Sequence, residues 1–317
     1  MPQLYAQVMR QCELAEALGY DTFFCAEHHF HEYGVVPDPA VMLAALAQRT
    51  KRIGLGTAIS ILTFHDPRHV AESYAMVDMM SGGRLVFGVG SGYLPHEFVG
   101  YGLDPAQKRD RFNENLAVLK RLLAGEVVAY EGKYSRTEKA ALNVLPHEGR
   151  GPPIYVAVLA REGAYHVGRQ GDRIFTMPYV SCKSFADIGN LLAEFRKGRA
   201  ERGLPAQDDD HVFTLHTYVA RSDDEARVQA SAAYDLYVDT RIYAKKHRYD
   251  DILASGVCLF GSVDTVRRKV RELREMGIRQ LATLHNFGAL DPQLVERSMA
   301  LFAREVMPQL RSATTGA

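Results

Sequence analysis

The hydrophobic period of this chain switches repeatedly between two residues and about 3.6, and that alternation constrains the fold more than any other feature. Strand-like segments separated by amphipathic segments of helix length are the βα order of a parallel sheet. Val8, Cys12, Ala15 and Leu18 share a helix face that Gly19 closes, and an apolar strand follows over Thr22 to Ala26. A helix from about Pro39 to Thr50 leads to a strand over Ile53 to Ile61. A helix through Val70 to Met80 then leads, past Ser81-Gly82-Gly83, to a strand over Arg84 to Val89. Arg111 to Leu123 is helical, Val127 to Pro146 reads as a hairpin-like excursion, and a strand covers Ile154 to Leu159. Two further pairs are strand Ile174 to Pro178 with helix Ile188 to Arg202, and strand Val212 to Val219 with helix Asp224 to Val238. A helix marked by Val266, Val270 and Leu273, a strand over Gln280 to Leu284 and a helix carrying Val295, Met299, Phe302 and Val306 end the series.

The count is seven central strands with a helix at each end. An eight-stranded barrel begins with a strand, so the first strand is expected to be missing, with the initiator internal or misassigned. At 317 residues, 47% hydrophobic and 24% charged, the chain can bury one large core, and a single barrel domain over residues 1–317 is expected. Its least patterned segment, Thr240 to Gly261, reads as an insertion or mobile lid. Ile242, Tyr243, Tyr249 and Ile252 would give that lid an apolar face. Lys plus Arg equals Asp plus Glu at 38 each, which offers no bulk electrostatic hold on nucleic acid or an anionic membrane and points to a small-molecule partner. Cys12, Cys25, Cys182 and Cys258 form no CxxC pair, no cleavable leader opens the chain, and no apolar run reaches bilayer length; a cytoplasmic location is expected.

Glu27-His28-His29-Phe30 ends the strand Thr22 to Ala26, placing titratable groups at a sheet rim, where catalytic groups of α/β proteins collect. Successive residues of a strand face opposite sides, so only one of the two imidazoles can point into a barrel mouth. Histidines satisfied by local hydrogen bonds are the plainer alternative. A metal-dependent barrel hydrolase built on Glu27, His28, His29 and His31 ranks last, because no second HxH or paired-carboxylate cluster marks the other strand ends.

A set of motifs in fixed order carries a resemblance. They are AEHHFHEYG (Ala26 to Gly34), Gly54-Leu55-Gly56-Thr57-Ala58, HDPRHVAE (His65 to Glu72), Asp78 to Arg84 with VFGVGSGY (Val86 to Tyr93), PPIYVAV (Pro152 to Val158) and REVMPQL (Arg304 to Leu310). Together the chain resembles the bacterial luciferase-like flavin monooxygenases. The resemblance implies an α/β fold, a (β/α)8 TIM barrel, that binds flavin at its strand ends, takes reduced FMN from a separate flavin reductase and commonly forms a homodimer.

By position, His28 matches the histidine acting near the flavin's reactive edge, where an imidazole titrating near neutrality serves as general acid or base. Glu27 matches a residue near the flavin, with loop anchoring as an equal alternative, and His29 is expected to be structural. Ala58 and Ile59 match the position of a non-prolyl cis peptide beneath the ring. Two segments could cradle the phosphate: the glycine run Gly88, Gly90 and Gly92, with Gly90, Ser91 and Tyr93 as cofactor contacts, and the strand-to-helix junction Leu159, Ala160, Arg161, Glu162 and Gly163; tight packing of strand against helix is the other reason for the glycines. Ser91 stands where luciferase has a phosphate-binding arginine, and Asp66 where it has a histidine, with His65 shifted by one. The implied reaction is oxidation of a small, moderately hydrophobic organic substrate by reduced FMN and oxygen. A hydride-transferring F420-dependent oxidoreductase is the alternative within the fold, and a non-catalytic flavin binder a further one.

Overall fold

In the computed structural model, which describes residues 2–32, 34–241 and 247–311, strands and helices alternate as the period predicts. The chain divides into two units, Met1–Glu16 with Tyr20–Ala157, and Ala17–Gly19 with Val158–Ala317.

The first unit runs α1 (Pro2–Leu18), β1 (Thr22–Cys25), α2 (Pro39–Arg49), β2 (Gly54–Thr57), β3 (Ser60–Ile61), α3 (Pro67–Ser81), β4 (Leu85–Gly90), α4 (Pro95–Gly100) and α5 (Lys108–Leu123). The antiparallel hairpin β5 (Val128–Glu131) and β6 (Arg136–Ala140) follows, as expected for the 127–146 excursion, and then β7 (Ile154–Val158). The central strands pair in parallel, with Phe23 opposite Leu55, Leu55 opposite Leu85 and Val89 opposite Val156. Leu55, Phe87 and Val89 are fully buried along that core.

Local chemistry sets the helix starts. Asp38 accepts the amides of Ala40 and Val41 ahead of Pro39, and Asp66 accepts the amide of Arg68 ahead of Pro67. Asp66, the departure from luciferase, is therefore the N-cap of α3. That helix stops at Gly82, whose φ of 72° lies in the left-handed region. Two motif residues bind the following turn: Asp78 accepts the amides of Leu85 and His147, and the Arg84 guanidinium donates to the carbonyls of Ala47, Thr50, Ser81 and Ile53. The continuous strand expected over Ile53 to Ile61 is two strands, with the cis Ala58–Ile59 peptide lying between them.

The second unit contains α6 (Arg161–Gln170), β8 (Arg173–Thr176), α7 (Pro178–Ser181), α8 (Ala186–Glu201), β9 (His211–Ala220) and α9 (Asp223–Thr240). It continues with α10 (Tyr249–Ser255), β10 (Leu259–Ser262), α11 (Val263–Glu275), β11 (Leu281–Leu284), α12 (Pro292–Glu305) and α13 (Met307–Arg311). Strand β9 is buried from end to end. It pairs in parallel with β8 at 211–213, β11 at 213–216 and β10 at 217–220.

Strand β10 was not anticipated. It adds to the seven expected central strands a further parallel strand, lying beside the distal part of β9. Its first three residues, Leu259 to Gly261, fall in the unpatterned stretch 240–261, which also holds α10. Tyr249 and Ile252 of that helix are buried, and the Tyr249 ring stacks on Phe260 at 5.2 Å; Ile242 and Tyr243 lie outside the described residues. No helix among the described residues is long and apolar enough to cross a membrane.

Candidate active site

Strand β1 ends at Cys25, and the chain beyond it is tied to the β2–β3 junction. The Ala58 amide donates to the Cys25 carbonyl at 2.8 Å and the Glu27 amide to the Ile59 carbonyl at 3.3 Å. These ties hold the Glu27 carboxylate inside the fold, 2% exposed. One oxygen lies 2.6 Å from His65 Nε2 and 2.9 Å from His29 Nε2; the other accepts from Ser60 Oγ at 3.1 Å and the Ile61 amide at 3.0 Å. Burial alone would raise its pKa. The bonds from His29 and His65, the charge of His65 and the Ile61 amide outweigh it and bring the carboxyl down to about 2. Glu27 is therefore an anion, and since a carboxylate only accepts, both facing Nε2 atoms carry hydrogen. His65 shifts the opposite way: burial disfavours its charge, but the bond and charge of Glu27 raise its pKa.

The two neighbouring imidazoles take different roles. His29 is buried, with Nδ1 3.2 Å from the Tyr101 hydroxyl and its amide donating to Glu97 Oε1 at 3.1 Å. The His28 side chain keeps 16% of its surface exposed, and its Nδ1 lies 3.1 Å from the same Glu97 oxygen. Glu97, on α4, is itself 1% exposed. The His28 side chain is thus partly accessible, whereas that of His29 is buried.

The remaining expected residues fall as follows. A Cβ on Gly88 would lie 2.1 Å from the Thr57 carbonyl oxygen, and one on Gly90 2.5 Å from Ile59 Cδ1, so both glycines make room for the segment holding the cis peptide. The Ser91 carbonyl accepts from Thr63 Oγ1 at 2.9 Å, and Tyr93 is half-buried. In the second unit Leu159 and Ala160 precede α6, whose N-cap position, Ala160, offers no side-chain bond; Arg161, which pairs with Asp187, opens the helix, and Gly163 is its third residue.

Glu27, His29 and His65 bring their ligand atoms within 4.8 Å of one another, whereas the metal reading named His28 and His31. His28 is held by Glu97, and the His31 ring lies 5.2 Å from that of His96. The contacts of 2.6 and 2.9 Å are hydrogen-bond lengths. Two ligands each about 2.0–2.1 Å from a tetrahedral zinc stand more than about 3 Å apart, so an ion does not fit between them as they lie. Sequence reading missed His65, Glu97 and Tyr101 as partners of the histidine pair. Their only signal was residue type, 36 or more positions away from the atoms they hold.

The chain belongs to the luciferase-like monooxygenase family, whose sequence profile matches residues 2–280. It is 30% identical to 4-hydroxyprotoasukamycin monooxygenase of Streptomyces nodosus subsp. asukaensis, over 97% of this chain and 88% of that protein. It is 28% identical to the F420-dependent glucose-6-phosphate dehydrogenase of Nakamurella multipartita, over 94% of this chain and 90% of that one. Among solved structures, monooxygenase RslO1 from Streptomyces bottropensis matches with a TM-score of 0.87 at 29% identity, covering 96% of this chain and 93% of its own. The oxygenating constituent of 3,6-diketocamphane monooxygenase from Pseudomonas putida, in complex with FMN, matches at 0.82 with 21% identity, covering 98% and 94%. The fold class is thus the α/β TIM barrel of luciferase-like proteins, and the relatives are oxidoreductases, some flavin-dependent and some F420-dependent.

Proposed function

We propose that this chain is the oxygenase of a two-component flavin monooxygenase, acting in the cytoplasm as a homodimer on a small, moderately hydrophobic organic substrate, with reduced FMN delivered by a separate reductase. The observation that carries the reading is His28, a partly exposed imidazole held through Nδ1 by a buried carboxylate and next in sequence to the tie between Glu27 and the cis-linked Ile59.

The residues fit the cofactor. Ala58 and Ile59 are retained as the ring contacts, with Ile59 seated over Gly88 and Gly90. Gly90, Ser91 and Tyr93 are retained as cofactor contacts. In the second unit, Leu159, Ala160, Arg161 and Gly163 are proposed for a phosphate on the family resemblance alone; taken by itself, the N-terminus of α6 has no side-chain cap. FMN, when bound and reduced, supplies the electrons for oxygen activation.

What the chain itself contributes is proton control. Glu97 occupies Nδ1 of His28, so the proton this imidazole gives or takes is at Nε2. Glu27, held as an anion by its four donors, does not exchange protons near neutral pH; it fixes the wall on which His28 stands.

An F420-dependent hydride transfer is the second reading, favoured by the F420-dependent relative that spans most of the chain. Titration of the purified protein with FMN, reduced FMN and F420, followed by oxygen uptake with a flavin reductase, separates the two. We expect reduced FMN to bind and oxygen to be consumed. His28→Ala is expected to keep cofactor affinity and lose product formation by about 10²–10⁴-fold. F420 binding without FMN binding would move the assignment to the second reading, and undiminished turnover of His28→Ala would remove the acid–base role.

A further inference from the structure

The first unit contains a cavity of about 310 Å³ between the turn at residues 63–68, helix α5 and the β5–β6 hairpin. Its lining includes His65 but neither His28 nor Glu27. The volume is at the lower end of the range for small-molecule sites.

The charge of its wall is uneven. Arg68, Arg111 and Arg136 line it against one carboxylate, Asp66, and Asp66 is already paired with Arg68. Arg136 stands at the exposed rim, 3.9 Å from Glu131. Arg111 differs from both. It is half-buried, its Nε meets only the neutral Gln107 Oε1 at 3.2 Å, and its guanidinium lies 4.4 Å over the Tyr134 ring. Among the described residues no carboxylate pairs with it. A guanidinium partly withdrawn from water and stacked in place is pre-organised for a planar anion.

The surroundings are rigid and aromatic. Glu114 accepts the amides of Lys133, Tyr134 and Ser135 and so fixes the hairpin that carries Tyr134. Asn115 joins the walls, donating to the carbonyls of Leu62 and His65 and accepting from Ser135 Oγ. Tyr101 stacks on Phe64 at 4.7 Å and presents a flat apolar surface beside His65. His65, whose pKa Glu27 raises, adds positive character to the inner wall.

We propose that this cavity binds a small planar organic anion, an aryl carboxylate in type, with Arg111 as its charge partner and the tyrosine rings as its walls. The site requires no flavin and stands apart from the reading of His28, so it is tested on the full chain without cofactor. Benzoate is titrated calorimetrically, and the imidazole resonances of His65 are followed by NMR. The expected result is saturable binding of one benzoate per chain, about tenfold tighter than neutral benzamide, as one charge-assisted contact provides. His65 should shift while His211, bonded to Asp210 in the second unit, stays still. Arg111→Met should weaken benzoate about tenfold, with Arg111→Lys recovering part of the loss and Arg68→Met changing little. Non-saturable binding, equal affinity for benzamide, or full affinity in a folded Arg111→Met variant would each overturn the proposal. If that variant does not fold, the benzoate-to-benzamide ratio and the His65 shift decide it on the unmodified chain.

Discussion

Two groups of histidine and tyrosine, one in each unit, show how a neighbouring carboxylate reverses what burial does to an imidazole. In the first unit His29 and His65 converge on the Glu27 carboxylate. In the second, His216 is fully buried among the rings of Tyr179 at 4.3 Å, Tyr237 at 4.7 Å, Tyr234 at 5.1 Å and Phe287 at 5.6 Å. Neither of its nitrogens has a hydrogen-bond partner among the described residues. Burial, and then the charge of Arg241, push it down to about 3, while Glu27 turns the shift of His65 upward. One cluster stores charge and the other excludes it. The proton chemistry proposed for this chain falls in the unit with the charged cluster.

The largest test of that contrast is Glu27→Ala. It strands the His29 and His65 imidazoles, Ser60 Oγ and the Ile61 amide at once, and removing one partner of a buried ionic group costs about 3–5 kcal/mol. Urea denaturation should show the midpoint falling by a corresponding amount, with Glu27→Gln falling less because its amide oxygen still accepts from Ile61. His216→Phe should be neutral or stabilising, since it replaces unpaired polar atoms by an apolar ring among aromatic neighbours. Equal losses at the two sites would mean that packing alone holds both clusters.

Acid separates the clusters next. Glu27 titrates at about 2 in the folded chain against an ordinary 4.5, so its contribution is complete above 4.5 and is lost only as pH falls through about 2. His65, raised above 6.5, contributes fully below that value and loses its contribution as pH rises through its folded pKa. His216 and His285, both at about 3, work in the opposite direction to His65 and at higher pH than Glu27. Between 6.5 and 3 the unfolded chain binds protons that the folded chain refuses, and stability drops by up to about 1.4 kcal/mol per pH unit for each. Hydrogen exchange at pH 4 should therefore open β9 and β11 before the strands around Glu27, and His216→Phe should flatten the acid slope. An unchanged slope in that variant would show that His216 is not the group responsible.

Short-range signals made much of this legible. The alternation of period placed most strands and helices along the chain, and the Glu27-His28-His29 run marked a strand end. Partnerships made by the fold were not legible. His65 meets Glu27 from 38 positions away and Glu97 meets His28 from 69, and no periodicity links such pairs. The apolar run of β10 is too short for its period to separate it from the irregular residues before it. In sequence, Gly88 and Gly90 are only weak evidence of ligand approach beside packing, and only coordinates put Thr57 and Ile59 against them. Asp66 looked like a lost histidine; its role as a cap is read from Pro67 and the Arg68 amide together.

The smallest expected effect sharpens the first cluster from within. Tyr101→Phe removes a hydroxyl 3.2 Å from His29 Nδ1 but keeps the ring, which packs edge-on against His29 at 5.0 Å. Burial and the carboxylates of Glu27 and Glu97 raise the Tyr101 pKa, so near neutrality the hydroxyl carries its proton and donates to Nδ1 while Nε2–H donates to Glu27. Losing one such bond costs about 1 kcal/mol. If Glu27 sets the tautomer, ¹⁵N shifts of His29 should report hydrogen on Nε2 in both proteins, and denaturation should show only that modest loss. A move of the hydrogen to Nδ1 in Tyr101→Phe would mean that the tyrosine, not the carboxylate, orders the imidazole, and the charged cluster would then rest on two anchors instead of one.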